Sequence, residues 1–342
     1  MFDDAERKEK NPMKKDANLI QSMLTGLAVA AIVLVAVHLG GSVCKKSGQK
    51  PNPYEYNLDD FRKVDPRWMT YRETGRIDIP SETLYALAAD QDDHIIVSGN
   101  HALFIFNLQG QPVSRIDIGE PVRCIAASPE GRFYLGMIDH VELFDDEGKR
   151  VGAWDKLDES ALLTSIAVGE NDVFVADAGN KVVLRYDLSG NVVGRLGDSI
   201  SADDGKGLVI PSPYFDVAIG YEGHLWMVNP GRHRIENYTR DGRFRSSWGK
   251  ASWGIRGFCG CCNPTHIVIL PDGRFVTSEK GLPRVKVYDQ TGNLEAVIAG
   301  PEQFEEGTVG LDLAVDSSGR ILVLDPKKRA VRIFQQKSLT KP

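Results

Sequence analysis

The side chains with the clearest capacity for chemistry lie close together, in the segment from Phe258 to His266. This segment contains three of the five cysteines, Cys259, Cys261 and Cys262, and ends at a histidine. Thiolate and imidazole groups are the ligands that zinc and copper prefer. The three cysteines and His266 are therefore a candidate metal set and, more broadly, a candidate ligand-binding site. The segment reads C-x-C-C-x₃-H and lacks the two separate C-x₂-C pairs of most structural zinc sites.

The cysteines allow two further interpretations. A structural disulfide is expected if the domain faces an oxidising compartment. A bridge between the adjacent Cys261 and Cys262 would close a small strained ring, whereas Cys259 could pair with either of them or with Cys124. The third interpretation is a redox-active thiol pair, which requires a lowered thiol pKa. The sequence leaves the disulfide, the metal site and the free or redox-active thiols open.

A second group of polar residues recurs at equivalent positions of the internal repeats described below. Its members are Asp177, Asn229, Glu279 and Asp325. Carboxylate and amide oxygens are the ligands that calcium prefers, so a cation site is one interpretation. The competing interpretation is that each side chain caps a turn between two strands by accepting backbone hydrogen bonds.

A third group combines opposite charges next to the cysteine segment. Glu279, Lys280 and Arg284 replace the usual turn of their repeat. A cation pair of this kind could bind an anionic ligand beside the thiols. The same residues could instead form a surface salt-bridge cluster.

Short strands must position all of these groups. From about residue 83 a pattern of three or four apolar strands separated by glycine turns recurs every roughly 40–50 residues, which is typical of propeller blades. Five turn glycines mark five complete copies: Gly110, Gly148, Gly190, Gly242 and Gly292. The sixth copy stops at Gln335, one strand short, so Met69–Ile79 is expected to supply its outer strand. We therefore predict an all-β, six-bladed β-propeller over residues 66–336.

The phrase VFVADAGNKVVLRYDLSGN, Val173–Asn191, resembles the NHL repeat. The looser copies resemble the wider gluconolactonase/regucalcin-like group of six-bladed propellers. The resemblance implies the NHL-type propeller fold but does not fix an activity, since NHL propellers include protein-binding, RNA-binding, sensor and lyase members. In the gluconolactonase-like group, acids and amides at one mouth of the channel hold a divalent cation. The resemblance thus implies that role for Asp177, Asn229, Glu279 and Asp325.

An apolar run precedes the repeats. Residues 19–43 contain no Asp, Glu, Lys or Arg, and about 20 such residues suffice to cross a bilayer. We predict a transmembrane signal anchor there, with a cleaved signal peptide as the alternative. The flanking Lys and Arg residues favour a cytoplasmic tail at 1–18. A polar tether at 44–65 would then lead to a propeller on the extracytoplasmic side, periplasmic or extracellular, and a short tail at 337–342 would end the chain.

Composition narrows the function. The net charge of −6 argues against a nucleic-acid partner, and the sequence has no G-x-S-x-G elbow, P-loop or dinucleotide fingerprint. We therefore assign no catalytic residues and expect a membrane-anchored module. It would bind a protein or small molecule through the face that carries the Cys259–His266 loop. The alternative is a metal-dependent hydrolase or lyase of the six-bladed type. The cofactor is unknown, with zinc, copper and calcium as candidates.

Overall fold

A computed structural model describes residues 58–197 and 207–338. Within these two ranges no helix is long and apolar enough to cross a membrane. The predicted anchor at 19–43 and the predicted tail at 1–18 lie outside the described residues, as do most of the tether and residues 339–342.

The described chain folds into six antiparallel sheets of four strands each, which are the six predicted blades. Blade one contains β2 (Leu84–Ala89), β3 (Ile95–Gly99), β4 (Ala102–Phe106) and β5 (Pro112–Asp117). Blade two contains β6 (Cys124–Ala127), β7 (Phe133–Gly136), β8 (Val141–Phe144) and β9 (Arg150–Ala153). Blade three contains β10 (Leu163–Val168), β11 (Asp172–Asp177), β12 (Val182–Asp187) and β13 (Val192–Leu196).

The remaining three blades repeat the pattern. Blade four contains β14 (Val217–Ile219), β15 (Leu225–Asn229), β16 (Arg234–Tyr238) and β17 (Phe244–Trp248). Blade five contains β18 (His266–Ile269), β19 (Phe275–Glu279), β20 (Arg284–Tyr288) and β21 (Leu294–Ala299). Blade six contains β22 (Leu313–Val315), β23 (Ile321–Asp325), β24 (Ala330–Gln336) and β1 (Tyr71–Asp78).

The ring closes as predicted, because the first strand of the chain completes the last blade. β1 pairs antiparallel with β24, in a register that sets Tyr71 opposite Gln336 and Asp78 opposite Ala330. An ion pair between Arg332 and Glu73, at 2.6 Å, adds to these backbone hydrogen bonds. The closure joins both ends of the propeller and leaves no open edge between its first and last blades.

Burial follows the position of a strand within its blade. The second strands β3 and β11 are buried along their whole length, whereas the outer strand β5 is almost wholly exposed. Neighbouring blades pack face to face, so that Val97 and Phe104 of blade one share a core with Leu322 of blade six. The turn glycines before the outer strands adopt the left-handed region that glycine tolerates, with φ of 92° at Gly190.

The first strands of the six blades surround a central channel, whose cavity has a volume of about 300 Å³. Where these strands begin, one residue of each blade occupies an equivalent register position opposite the second strand. In order from blade one to blade six these are Ala86, Cys124, Ser165, Asp216, His266 and Asp312. We call this set the channel ring. It lies between the channel and the face on which the predicted site residues lie.

Candidate functional site

The two acids of the channel ring link neighbouring blades. Asp216 accepts hydrogen bonds from the backbone N–H of Ile267 in blade five, at 2.6 Å, and of Val217, at 2.9 Å. Asp312 likewise accepts from Leu87 in blade one, at 2.7 Å, and from Leu313, at 2.8 Å. Each carboxyl group is thus fixed in the channel wall by backbone donors.

Four groups of the ring have perturbed pKa values, and one of them is the Cys124 thiol, whose pKa is raised by burial. Burial raises the pKa of Asp216 to about 6 and that of Asp312 to about 7. The His266 imidazole is surrounded by protein, and this burial lowers its pKa, although the charge of Asp216 opposes the shift. The pKa values of the two acids are thus shifted towards neutrality, and acids perturbed in this way inside a cavity are typical of functional sites.

A cavity of about 270 Å³ opens from the ring to the surface, and we call it the channel mouth. Every blade or the connection leading into it contributes to its lining. The residues that reach it include, from blade one to blade six, Tyr85, Arg123, Thr164, Tyr214, His266 and Val309. The mouth is therefore a product of the closed ring rather than of any single blade.

The mouth combines cations with aromatic rings. The Arg123 guanidinium lies 5.0 Å from the centre of the Tyr85 ring, and the Lys280 ammonium lies 4.9 Å from the centre of the Tyr214 ring. The His266 ring meets Tyr214 edge to face at 5.8 Å. Rings beside cations suit a ligand that has an apolar or aromatic body and an anionic group.

The cysteine segment borders this mouth through Lys280 and Tyr214. All four cysteines of the described chain are free thiols, with Cys261 exposed and Cys259, Cys262 and Cys124 buried. The Sγ atoms of Cys261 and Cys262 are 3.2 Å apart, farther than the roughly 2.05 Å of a disulfide bond. Burial raises the pKa of Cys259, and the nearby Glu279 carboxylate raises it further.

The predicted thiolate–imidazole set is not gathered around one point. Cys259 donates its backbone N–H to Glu279 at 3.0 Å, beneath the loop, whereas Cys262 lies beside Lys280. His266 belongs to the channel ring, where its Nδ1 lies 3.2 Å from the hydroxyl group of Ser278. Across residues 58–197 and 207–338, no group of three or more His, Cys, Asp or Glu side chains is placed to hold a metal ion.

The polar residues at the ends of the second strands accept backbone hydrogen bonds, but three of the four donors lie in segments before the first strands and not in the expected turns between strands. Each accepts a backbone hydrogen bond from a nearby loop, at 2.9 to 3.2 Å. The acceptors and their donors are Asp177 with Leu162, Asn229 with Val209, Glu279 with Cys259, and Asp325 with Lys328. Because each side chain serves its own blade, the four do not converge on a shared cation.

Glu279 and Arg284 form part of a buried ion cluster, which corrects both interpretations of this charged group. Glu279 lies 2.6 Å from Arg284 and 2.7 Å from Lys286, and all three side chains are fully buried. Burial alone would raise the pKa of Glu279, but the two cations outweigh it and lower the pKa. Arg284 is therefore neither a surface ion pair nor open to a ligand. Of the predicted group, Lys280 lies over the ring of Tyr214, which lines the mouth.

Lys286 ties this cluster to the segment before the cysteines. Its ammonium group donates to the carbonyl oxygens of Gly257, at 2.7 Å, and Ile255, at 3.2 Å. Burial lowers the pKa of Lys286 to about 8, against the opposing effect of Glu279. The cluster thus anchors the chain that leads into the cysteine loop.

The sequence prediction covers the repeated polar positions at the ends of the second strands. It does not include Asp216 and Asp312 at the starts of the first strands. Aligning the starts of the first strands would have placed Asp216, His266 and Asp312 at one position of three successive blades. The segments FDVAIG, THIVIL and LDLAVD carry that signal. Arg123 and Tyr214 have no comparable signal, because they lie in connections of different lengths.

A larger cavity of about 450 Å³ lies at the opposite ends of blades four and five. Trp226 and Phe275 meet edge to face at 4.6 Å in its wall, beside His224 and Arg245. Only two blades line this groove, and the predicted site residues lie elsewhere. The channel mouth is therefore the stronger candidate.

Comparison with known proteins adds to the description of the fold. The sequence matches no family model and no curated protein. Among solved structures it resembles a streptogramin B lyase, with a TM-score of 0.55 and 11% identity over 79% of this chain and 99% of that one. The shared feature is the fold.

Two further solved structures agree. Virginiamycin B lyase from Staphylococcus aureus superposes with a TM-score of 0.51 and 12% identity, over 74% of this chain and 81% of the lyase. A protein of unknown function from Bacteroides thetaiotaomicron superposes with a TM-score of 0.57 and 15% identity, over 77% of this chain and 72% of that one. The chain is thus a six-bladed propeller like these lyases, whereas the NHL assignment rests on its repeat phrase.

Proposed function

We propose that this protein is a binding module of the NHL type and that its ligand occupies the channel mouth. The observation that carries the proposal is the mouth itself, a cavity of about 270 Å³ to which all six blades contribute. Its wall adjoins the cysteine loop, the face that the sequence favours for binding. A cavity of this volume accepts a small molecule or one large side chain of a protein partner.

The lining defines the chemistry of the ligand. Arg123 and Lys280 supply positive charge, and each lies over a tyrosine ring that offers an apolar surface. The ligand is therefore an aromatic or apolar group with a carboxylate or similar anion attached. Its anionic end would lie near Arg123 or Lys280 and its apolar end against Tyr214.

The uncharged run at 19–43 supports a location of this module at a membrane. With the propeller on the extracytoplasmic side, the mouth would meet ligands or partner proteins outside the cytoplasm. An anchor there would confine the module to the membrane, where a membrane-bound partner is also confined.

The test uses the full chain, purified in mild detergent. Native mass spectrometry and thermal shift would measure binding of a panel of aromatic carboxylates, with the matching neutral amides for comparison. We expect the carboxylates to bind and Arg123→Glu to weaken their binding by about tenfold or more, because the variant replaces attraction with repulsion. Tyr214→Ala should also weaken it, through lost aromatic contact.

Arg243→Glu is the matched control, since its side chain is 80% exposed on blade four. It should leave binding unchanged. If carboxylates and amides bound alike, or if Arg123→Glu and Arg243→Glu had equal effects, the mouth would not be the binding site.

The second candidate is a hydrolase or lyase at the same position. It is favoured by Asp216 and Asp312, whose pKa values burial raises towards neutrality, and by the neighbouring His266, whose pKa burial lowers. Two structural neighbours are themselves named as lyases. Chemical conversion of a bound carboxylate, lost in Asp312→Asn while binding persists, would favour the enzyme. Binding without conversion favours the module.

A further inference from the structure

Cys261 and Cys262 form a pair of neighbouring thiols near the channel mouth. Their Sγ atoms lie 3.2 Å apart, within reach of a sulfur–sulfur hydrogen bond. Cys261 is exposed to solvent, whereas Cys262 is buried directly behind it. A reagent in solution can therefore meet one sulfur while the second is already in position to react with the first.

The surroundings of the pair favour a thiolate on the inner sulfur. Burial by itself would raise the pKa of Cys262, but hydrogen bonds, led by one from the Lys280 ammonium, lower it below the ordinary value. The pKa of Cys261 is raised by its hydrogen bond to Cys262 and by the charge there. The two thiols therefore share their first ionisation, with the charge held on the sulfur beside Lys280.

We propose that this pair is a thiol–disulfide exchange site that reduces low-molecular-weight disulfides, with Cys261 as the attacking thiol and Cys262 as the resolving one. The inference goes beyond ligand binding and does not depend on it. Cys261 is exposed, so the sulfur atom of a low-molecular-weight disulfide can reach it.

The reaction balances in two steps. Cys261 passes its proton to the Cys262 sulfur and attacks one sulfur of the disulfide R–S–S–R, whose bond breaks to release the first thiol after protonation. Cys262 then loses its proton with help from Lys280 and attacks the Cys261 sulfur, which releases the second thiol. The disulfide gains two electrons from the pair and two protons, one from the pair and one from solvent water, and the pair becomes a Cys261–Cys262 bridge.

The bridge should be easily reduced, and its formation should change the electrostatic environment of the mouth. A disulfide between adjacent residues closes a strained ring, and strained exposed disulfides are readily reduced. Oxidation removes the negative sulfur from Lys280, whose ammonium lies 4.9 Å from the centre of the Tyr214 ring in the mouth wall.

The other described cysteines provide internal comparators. Cys124 and Cys259 are buried, and burial raises the pKa of both thiols. Thiols of this kind react slowly with disulfides. The reaction should therefore be confined to Cys261 and Cys262.

The experiment uses the full chain in mild detergent, with Cys44→Ser so that the four described thiols are the whole count. Oxidised glutathione is added near neutral pH, and intact-protein and peptide mass spectrometry follow the products. The protein should lose two thiols and retain no glutathione, with the bridge mapped to Cys261–Cys262. Cys262→Ser should trap one glutathione on Cys261. Cys261→Ser should react at least about tenfold more slowly, because Cys262, the remaining thiol of the pair, is buried.

Lys280 variants test the role of the cation. Lys280→Met should let the mixed disulfide accumulate, with resolution about three- to tenfold slower, and Lys280→Arg should restore it. A thermal melt establishes that each variant is folded. The proposal is overturned if all four thiols survive excess oxidised glutathione, if Cys261→Ser reacts as fast as Cys262→Ser, or if the bridge involves Cys259 or Cys124.

Discussion

Glu279 and Asp312 are both carboxyl groups deep in the propeller, and both accept backbone hydrogen bonds. Glu279 lies at the end of a second strand with Arg284 at 2.6 Å and Lys286 at 2.7 Å. Asp312 lies at the start of a first strand, where its two bonds at 2.7 and 2.8 Å come from neutral N–H groups. The pKa of Glu279 is lowered by its cations, whereas burial raises the pKa of Asp312 to about 7.

The difference separates a structural role from a candidate functional one. A buried carboxylate with two cations keeps its charge and fixes the chain around it, here the segment that leads into the cysteine loop. A carboxyl group held by neutral donors beside a water-accessible channel exchanges its proton near neutral pH. Because both are acids at repeated positions, their identities alone could not distinguish them.

Removing the charge of Glu279, which two buried cations compensate, should have the largest effect on stability. Glu279→Gln leaves Arg284 and Lys286 buried without their counter-charge, so we expect a loss of about 3–5 kcal/mol in the free energy of unfolding. Urea unfolding of the detergent-purified full chain, followed by tryptophan fluorescence, measures it. The exposed Glu302→Gln is the control and should change stability by less than about 0.5 kcal/mol.

A second substitution shows whether the loss arises from charge. Lys286→Met in the Glu279→Gln background removes one of the uncompensated cations. The double variant should then be more stable than the sum of the two single losses predicts. Strictly additive losses would mean that the three side chains do not act as a cluster, and the contrast with Asp312 would fail.

Asp312, which has no cation beside it in the described chain to compensate its charge, should make the free energy of unfolding depend on pH. The pKa of Asp312 is higher in the folded state, at about 7, than in the unfolded chain, at about 4. The stability that its proton contributes is complete below about pH 4 and is lost as the pH rises through about 7. Relative to Asp312→Asn, the wild type should therefore lose at most about 1.4 kcal/mol per pH unit across that window and level off above it.

Unfolding free energies measured from pH 4 to pH 8 provide the check, with the exposed Asp146→Asn as the control. Glu279 gives the opposite sign, because its lowered pKa stabilises the fold at neutral pH and this contribution is lost as the pH falls through its folded-state pKa. If the difference between wild type and Asp312→Asn did not vary with pH, Asp312 would be a permanently charged link between blades.

The fold could be predicted from sequence much further than the site. Short apolar strands and glycine turns, with φ of 76° at Gly110, determine local geometry, and the missing last strand required β1 to close the ring. The site depends on which residues meet across blades. The sequence leaves Arg284 between a surface salt bridge and an anion site, because it does not reveal that the side chain is buried with Glu279 and Lys286. It also does not distinguish Asp312 from the other residues of its repeat. Contacts inside blade five decide the first case, and a contact between the adjacent blades six and one decides the second.

Substitution of Asp177 should have the smallest effect on stability, and it tests whether the cations around Glu279 set the cost of removing a buried carboxylate. It is fully buried at the end of β11, where its carboxylate accepts from the backbone of Leu162 at 2.9 Å and of Asn180 at 3.1 Å. The Asn180 side-chain amide donates to its other oxygen at 2.8 Å. Asp177→Asn keeps one acceptor oxygen for the two backbone donors and loses the amide bond, so urea unfolding should give a loss of about 1 kcal/mol. A loss as large as that of Glu279→Gln would show that position at the strand end, rather than the cations around it, sets the cost of removing a buried carboxylate.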